Sequence, residues 1–236
     1  MNGKGLLNRI LVYVVGLFIM AFGVSLSLKS NLGVSPVNSL PNEISLVMNS
    51  FGINLSLGNA VIIIFSCYVL VQILIKRRRF PLIDLTQVIF SIIFGYFTNF
   101  TGMITNASSY LTNLPMRLLF MAISMVFIAF GVSIYMNAKL VNMPMEGMTL
   151  AISEALGKPF ARVKIVVDCS TVILALVLSL VFLHGIEGVG VGTVLAAVCV
   201  GLLVKPIQKL VSPALTRFCF GGAEETAPEK CVTAQD

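Results

Sequence analysis

Six stretches of this sequence are long and apolar enough, or nearly so, to cross a lipid bilayer: residues 10–28, 57–75, 82–104, 117–136, 165–183 and 189–204. A helix needs about 20 mostly apolar residues for this, and it must satisfy its own backbone hydrogen bonds because hydrocarbon offers none. The sixth stretch is short, but it runs on through Lys205 and Pro206 into Ile207, Leu210 and Val211. Only 11% of the 236 residues are charged and 57% are hydrophobic. Soluble domains carry about 25% charged residues, so a water-soluble enzyme, a disordered chain and a nucleic-acid binder all fit poorly. The first apolar run is read as a span and not as a cleaved leader, since no small-residue cleavage site leads into a soluble domain. Residues 1–211 then form a single membrane domain in contact with lipid. Residues 212–236 are expected to be a polar, disordered cytoplasmic tail.

Two further segments, 34–49 and 142–155, have helical character yet are too short and polar to span comfortably. Whether they cross sets the topology, and the distribution of basic residues arbitrates. If neither crosses and the N-terminus is cytoplasmic, 14 of the 16 Lys and Arg residues lie inside and only Lys29 and Arg117 lie outside. If both cross, Lys29, Lys76 to Arg79 and Lys139 face outward, and the split falls to 10 against 6. The six-span reading, with two re-entrant half-helices and both termini cytoplasmic, is preferred. Most of the net charge of +6 is therefore an orientation signal.

The two halves resemble each other. Phe22-Gly23-Val24-Ser25 in the first half returns as Phe130-Gly131-Val132-Ser133 in the second. At the same offset Pro36 meets Pro144, and Ile44-Ser45 meets Ile152-Ser153. After a short gap the Gly52 loop meets the Gly157 loop, and Gly95 meets Gly201. Order kept over so long a stretch points to duplication, with repeats at about 8–104 and 117–211. Three spans per half is an odd number, so the second half must enter the membrane from the opposite side. The fold expected is all-α and polytopic, an inverted 3+3 repeat of the kind that builds transporter sites at the midplane. The re-entrant piece follows the first span of each half, whereas aquaporin-type channels place theirs after the second.

Each half-helix begins at a proline. Ser35 reads as an N-cap with Pro36 at the first helical position, and Asn142 or Met143 caps a helix that starts at Pro144. Unpaired N–H groups and the positive dipole end would then point at the membrane centre from both sides, a site for a small anion. Candidate substrate-binding residues are Asn31, Ser35, Pro36, Asn38, Ser39 and Asn42 in the first half, with Asn142, Pro144, Glu146, Thr149 and Ser153 in the second. Glu146 is the repeat equivalent of Asn38. One reading makes it a first-turn acid serving its own helix end. The other makes it a proton-coupling or substrate-contacting group, as intramembrane acids tend to be. An anionic carboxylate repels the anion that the helix ends attract; a zwitterionic substrate, or an anion carried with a proton, reconciles the two.

Other residues weigh less. Glu43 is a candidate coupling group or a rim group further along its helix, and Pro41 leaves the register beyond it open. Asp168 is a second coupling candidate that more naturally pairs with Lys164 one helical turn before it. Asp84 is expected to answer the Lys76–Arg79 cluster. Gln87 and Asn99 read as helix–helix hydrogen-bonding groups. His184 and Glu187 belong to an external loop, and Gly188, Gly190 and Gly192 to a packing or hinge string. Met143, Met145 and Met148 could form an apolar wall beside the site. Five cysteines without metal spacing and a single histidine give no metal site and no cofactor, and no nucleophile–base set is visible, so an enzyme is not expected.

The opening segment AFGVSLSLKSNLGVSPVNSLPNEIS, with Gly33, Ser35 and Pro36, and the later Gly190, Gly192 and Thr193 resemble the bacterial YczE/YyaS/YitT group of multi-pass membrane proteins over about residues 8–211. The resemblance implies a bacterial plasma-membrane protein of five or six spans and supplies no catalytic residues. The leading expectation is a secondary transporter of a small organic anion or zwitterion. A passive channel, a lipid or lipid-phosphate flippase and a non-transporting accessory protein are the alternatives. A homodimer is compatible with a chain of this size.

Overall fold

The structure is a computed structural model that describes residues 3–106, 113–185 and 188–220. Among the described residues eight α-helices run in order: α1 (Gly3–Ser30), α2 (Pro36–Ser50), α3 (Leu57–Lys76), α4 (Thr86–Asn106), α5 (Leu114–Asn137), α6 (Pro144–Leu156), α7 (Phe160–Leu178) and α8 (Val191–Phe220). Short 3-10 turns at Arg77–Arg79 and Leu82–Leu85 link α3 to α4, and a π turn at Ser179–Leu183 extends α7. Among the described residues there is no strand. Six helical segments among the described residues are long and apolar enough to cross a membrane: Gly5–Ser30, Leu57–Arg79, Leu82–Thr105, Leu114–Asn137, Phe160–Leu183 and Val191–Cys219. This is a multi-pass, all-helical protein with α2 and α6 as its two short members. Exposed Leu, Ile, Val and Phe side chains cover its outer faces, as contact with lipid requires.

The final helix departs from expectation. The sequence places the end of the membrane domain at Val211 and a tail from Ser212, yet α8 continues to Phe220. Its last turns are held against α1: Asn8 donates its Nδ2 to the Phe218 carbonyl at 3.0 Å, and Cys219 is buried in the main core. Pro206 and Pro213 interrupt the backbone ladder without ending the helix. Residues 221–236, with Lys230 and Cys231, lie outside the described residues, as do Glu187 and residues 107–112.

At the centre α1 crosses α5 through glycine. A Cβ placed on Gly16 would lie 2.7 Å from the Tyr135 nitrogen and 3.0 Å from the Gly131 oxygen. One placed on Gly131 would lie 2.6 Å from the Met20 nitrogen, and one on Gly23 would lie 2.8 Å from the Ile128 nitrogen. Small residues of this kind let helix backbones touch where no hydrophobic force drives them together. The duplicated Phe-Gly-Val-Ser motif thus sits where the two halves meet, and its contacts are reciprocal. Gly23 faces Ile128 while Gly131 faces Met20, so the repeat offset carries each pair onto the other.

The same reciprocity governs the helix ends. Arg9 donates from Nε to the Ala138 carbonyl at 2.7 Å and from Nη2 to the Lys139 carbonyl. Arg117, its counterpart in the second half, donates from Nε to the Ser30 carbonyl at 2.7 Å and from Nη2 to the Asn31 carbonyl. Asn31 and Lys139 both have left-handed backbone, φ 50° and 48°, so each closes its helix in the same way. The last carbonyls of a helix lack intrahelical partners, and here each is capped by a guanidinium from the other half, at the favourable end of the dipole. Arg117→Met is expected to cost about 1–3 kcal/mol through the orphaned carbonyls. The measurement is a lower melting temperature by size-exclusion thermal scanning, and Arg9→Met should match it. An unchanged melting temperature for both would contradict the capping role.

Packing repeats as well. α1 packs on α4 as α5 does on α8, α3 on α6 as α7 does on α2, and α2 on α3 as α6 does on α7. Two pairings are unmatched. α1 packs on α8, whereas α4 and α5 share at most marginal contact. α3 packs on α4, with a Cβ on Gly95 falling 2.5 Å from the Gly58 oxygen, whereas α7 and α8 share at most marginal contact and Gly201 has open space beside it.

Candidate functional site

Both short helices begin as their prolines dictate. Ser35 is the N-cap of α2 with backbone φ −60°, ψ 150°, and Met143 is the N-cap of α6 with φ −64°, ψ 150°. Neither side chain caps its helix by hydrogen bonding, and the prolines at the first position remove one donor that would need a partner. Pro41 does not break α2, which runs on to Ser50.

Around the start of α6 the site is built from three helices. Tyr135 of α5, fully enclosed, donates its hydroxyl to Glu146 Oε2 at 2.5 Å. Tyr13 of α1 sets its ring edge-on to Tyr135, centroids 5.5 Å apart, and donates to Met143 Sδ at 3.8 Å. The carboxylate of Glu146 therefore bonds across to α5, and not to the N–H groups of its own helix. Below it lies a pair that sequence reasoning largely misses. Gln72 of α3 and Gln87 of α4, 0% and 1% exposed, exchange amide hydrogen bonds: Gln72 Nε2 to Gln87 Oε1 at 2.9 Å and Gln87 Nε2 to Gln72 Oε1 at 3.3 Å. Gln72 Nε2 also donates to the Pro144 carbonyl at 3.0 Å, and Gly147 has no Cβ because Gln72 Oε1 would lie 2.7 Å from it. The reading of Gln87 as a helix-bonding group is met; Gln72 carries no spacing signal beyond being polar in an apolar run. Gln72→Leu leaves Gln87 and the Pro144 carbonyl without this partner and is expected to destabilise by about 1–3 kcal/mol, read as a lower melting temperature. Gln72→Leu combined with Gln87→Leu should recover part of the loss.

The other predicted residues are spread unevenly. Asn38, wholly buried, donates Nδ2 to Ser35 Oγ at 3.1 Å, and its Oδ1 has no hydrogen-bond partner among the described residues. Ser39 and Thr149 turn back to carbonyls of their own helices, Pro36 at 2.7 Å and Met145 at 2.8 Å. Ser153 bonds the Lys158 carbonyl at 2.7 Å, as Ser45 bonds that of Leu55 at 2.7 Å. Asp168 pairs with Lys164 at 3.0 Å, as its spacing predicts. Lys76 is within Coulombic reach of Asp84, but its ion pair is with Glu154 at 3.2 Å. Glu43 is not a rim group: it is 0% exposed. α2 and α6 share at most marginal contact, and no hydrogen bond among the described residues joins Ser35, Asn38 or Asn42 to Asn142, Glu146 or Thr149. The two short helices thus form two separate clusters.

On the flank of α2 a cavity of about 670 Å³ opens between the 31–34 connection and the 188–191 segment, with Asn31 and Asn42 in its wall. Its rim is locked by backbone bonds, Val34 N–H to the Gly188 carbonyl at 3.2 Å and Gly192 N–H to the Leu32 carbonyl at 2.8 Å. A Cβ on Gly33, whose φ is 118°, would lie 2.6 Å from Thr193 Oγ1. The two glycine-containing stretches singled out in the sequence are therefore one interlocked structure. Among the described residues no three histidine, cysteine, aspartate or glutamate side chains cluster around a metal-sized space.

Comparison with known proteins places these features in context. The family model described as a family of unknown function, DUF6198, matches residues 7–209. The chain is 27% identical over 203 residues to the uncharacterized protein YyaS of Bacillus subtilis (strain 168), covering 86% of this chain and 94% of that protein. The resemblance drawn from the sequence is upheld for YyaS. No solved structure gives a significant match.

Proposed function

Starting from a chain that belongs to DUF6198, a family of unknown function, we propose a secondary transporter of a small organic zwitterion or anion, and not an enzyme, in the bacterial plasma membrane. It is built from two inverted halves, with α2 and α6 as re-entrant half-helices and both termini cytoplasmic. Rocking of one half against the other about the α1–α5 crossing exposes the site alternately, and Glu146 couples the movement to protons.

The observation that carries this reading is the reciprocal pair of arginine clasps. Arg9 and Ala138 are 2.7 Å apart, so they lie on one side of the membrane. That requirement is met if α2 does not cross, and violated if α2 and α6 both do. Arg117 with Ser30, and Lys76 with Glu154, obey the same rule. Contacts that map onto one another under the repeat offset are what an antiparallel two-fold relation between halves produces, and substrate sites of such folds lie at the repeat interface.

Two measurements test it. Cysteine placed at position 78 should be labelled only from the cytoplasmic side and cysteine at position 53 only from outside; the opposite pattern at either position removes the re-entrant topology. Purified protein in proteoliposomes should show saturable counterflow of a small zwitterion or organic acid, accelerated by an imposed proton gradient. Flux insensitive to that gradient would instead identify a passive facilitator.

A further inference from the structure

The α3–α4 pair of the first half and the α7–α8 pair of the second are packed unequally. α3 and α4 meet at Gly58 and Gly95, and the Gly58 N–H donates to Asn99 Oδ1 at 2.9 Å. The offset that carries Gly95 to Gly201 carries Gly58 to Lys164 and Asn99 to Lys205. A lysine cannot stand in for a glycine whose missing Cβ lets two backbones touch, and Lys164 turns instead to Asp168 on its own helix at 3.0 Å. The second half is therefore open where the first is shut. α7 and α8 share at most marginal contact, and nothing lies within 4 Å of a Cβ placed on Gly201.

One end of this cleft is cationic. Val194, Val198, Gly201, Lys205 and Lys209 follow one another along α8 at helical-neighbour spacing, so they share a face, and all are exposed. Their depth is fixed by α5: Ser133 donates to the Val204 carbonyl at 3.4 Å, and further along α5 lies the Ala138 carbonyl that Arg9 holds. Lys205 thus lies about 7 Å inward of that clasp, and Lys209 about level with it. Neither lysine has an ion pair or hydrogen bond among the described residues, whose salt bridges belong to Lys76 and Lys164, and α8 carries no acidic residue. In the first half Asn99 and Met103 occupy the equivalent places. Two ammonium groups at the edge of an apolar face, with no acid of the protein to meet them, are matched by a lipid phosphate. Their stems lie along hydrocarbon and their charges reach the headgroup layer.

We propose that the α7–α8 cleft binds an anionic phospholipid from the membrane leaflet on the Arg9 side, its phosphate on Lys205 and Lys209 and an acyl chain along Gly201 and Val198. α7 rests chiefly on α2 and α6, and α8 on α5 and α1, so the lipid takes the place that direct helix packing has between α3 and α4. The site stands apart from the transport reading: it needs only the helix end that Ser133 and Arg9 locate.

The chain has no tryptophan, so Val198→Trp makes a single reporter on the cleft face, and Val194→Trp replaces it should the first fail to fold. Ile92→Trp, at the repeat-equivalent position on α4, is the matched control. The full chain is placed in phosphatidylcholine vesicles, and rising fractions of brominated phosphatidylglycerol or brominated phosphatidylcholine quench the reporter by contact. The expected result at position 198 is a preference of about tenfold for phosphatidylglycerol, lost in Lys205→Gln/Lys209→Gln and kept in Lys205→Arg/Lys209→Arg. Position 92 should show no preference. Equal quenching by the two lipids at position 198, a preference that survives loss of both lysines, or the same preference at position 92 would each overturn the proposal. So would a folded reporter that neither lipid quenches, since a second copy or residues 221–236 would then cover the face. Inorganic phosphate at matched ionic strength should leave the preference unchanged; displacement of the lipid by it would assign the lysines to free phosphate instead.

Discussion

Glu146→Gln is expected to yield a folded protein in which the proposed transport falls about a hundredfold, about 3 kcal/mol in the barrier. The Glu146 carboxyl group sits in the first turn of α6, half-buried, with Oε2 accepting from the Tyr135 hydroxyl at 2.5 Å. A hydrogen bond to an ionised acceptor is about twice as strong as one between neutral groups, and the amide replaces an acceptor that can take up a proton with one that cannot. Tyr135→Phe should reduce transport less, because the carboxylate remains. The decisive comparison is transport against melting temperature. Loss of transport with the melting temperature kept marks a coupling group. Loss of stability with transport per folded molecule kept would mark an acid that only ties α6 to α5 through Tyr135.

Gly131→Leu should prevent assembly of the bundle or lower its melting temperature by about 10 °C or more. Space at this position is set by backbone: a Cβ would already lie 2.6 Å from the Met20 nitrogen, and no rotamer change can relieve that. Forced separation of α1 from α5 breaks the largest interface in the protein and pulls Tyr13 away from Tyr135, a combination at the high end of single-substitution effects, about 3–5 kcal/mol. Gly201→Leu is the matched control, since it makes the same change where nothing lies within 4 Å. If both variants melt like the parent, the glycine crossing is not what holds the halves together.

Much of this architecture is legible in the sequence because it follows from hydropathy and spacing. The spans, the proline starts of α2 and α6, the Lys164–Asp168 pair and the repeat register all depend on residues near one another in the chain or on a fixed offset. What stays hidden depends on distant partners. Arg9 and Arg117 occupy equivalent places in the two repeats, but as basic residues near helix ends they read as orientation signals, and nothing local reveals which carbonyls they cap. Gln72 is one polar residue in an apolar run until α4 and α6 are brought beside it. The polar tail suggests an early stop for α8, whereas the helix runs on to Phe220, docked on α1. Distance along α2 suggests a rim position for Glu43, but the 188 segment folds over it.

The interlock of Leu32–Val34 with Gly188–Thr193 has a consequence for biosynthesis. Ribosomes deliver the chain from its N-terminus at about 5–20 residues per second. The backbone partners of the 31–34 connection are therefore absent until α8 is being made. Arg9 likewise waits for Ala138. At that rate the first half must reside in the membrane for about ten seconds or more, its short-helix element unsupported, before its own geometry can close. A nascent chain stalled before Gly188 should accordingly be open to protease at residues 31–35, and become protected once α8 is released into the bilayer.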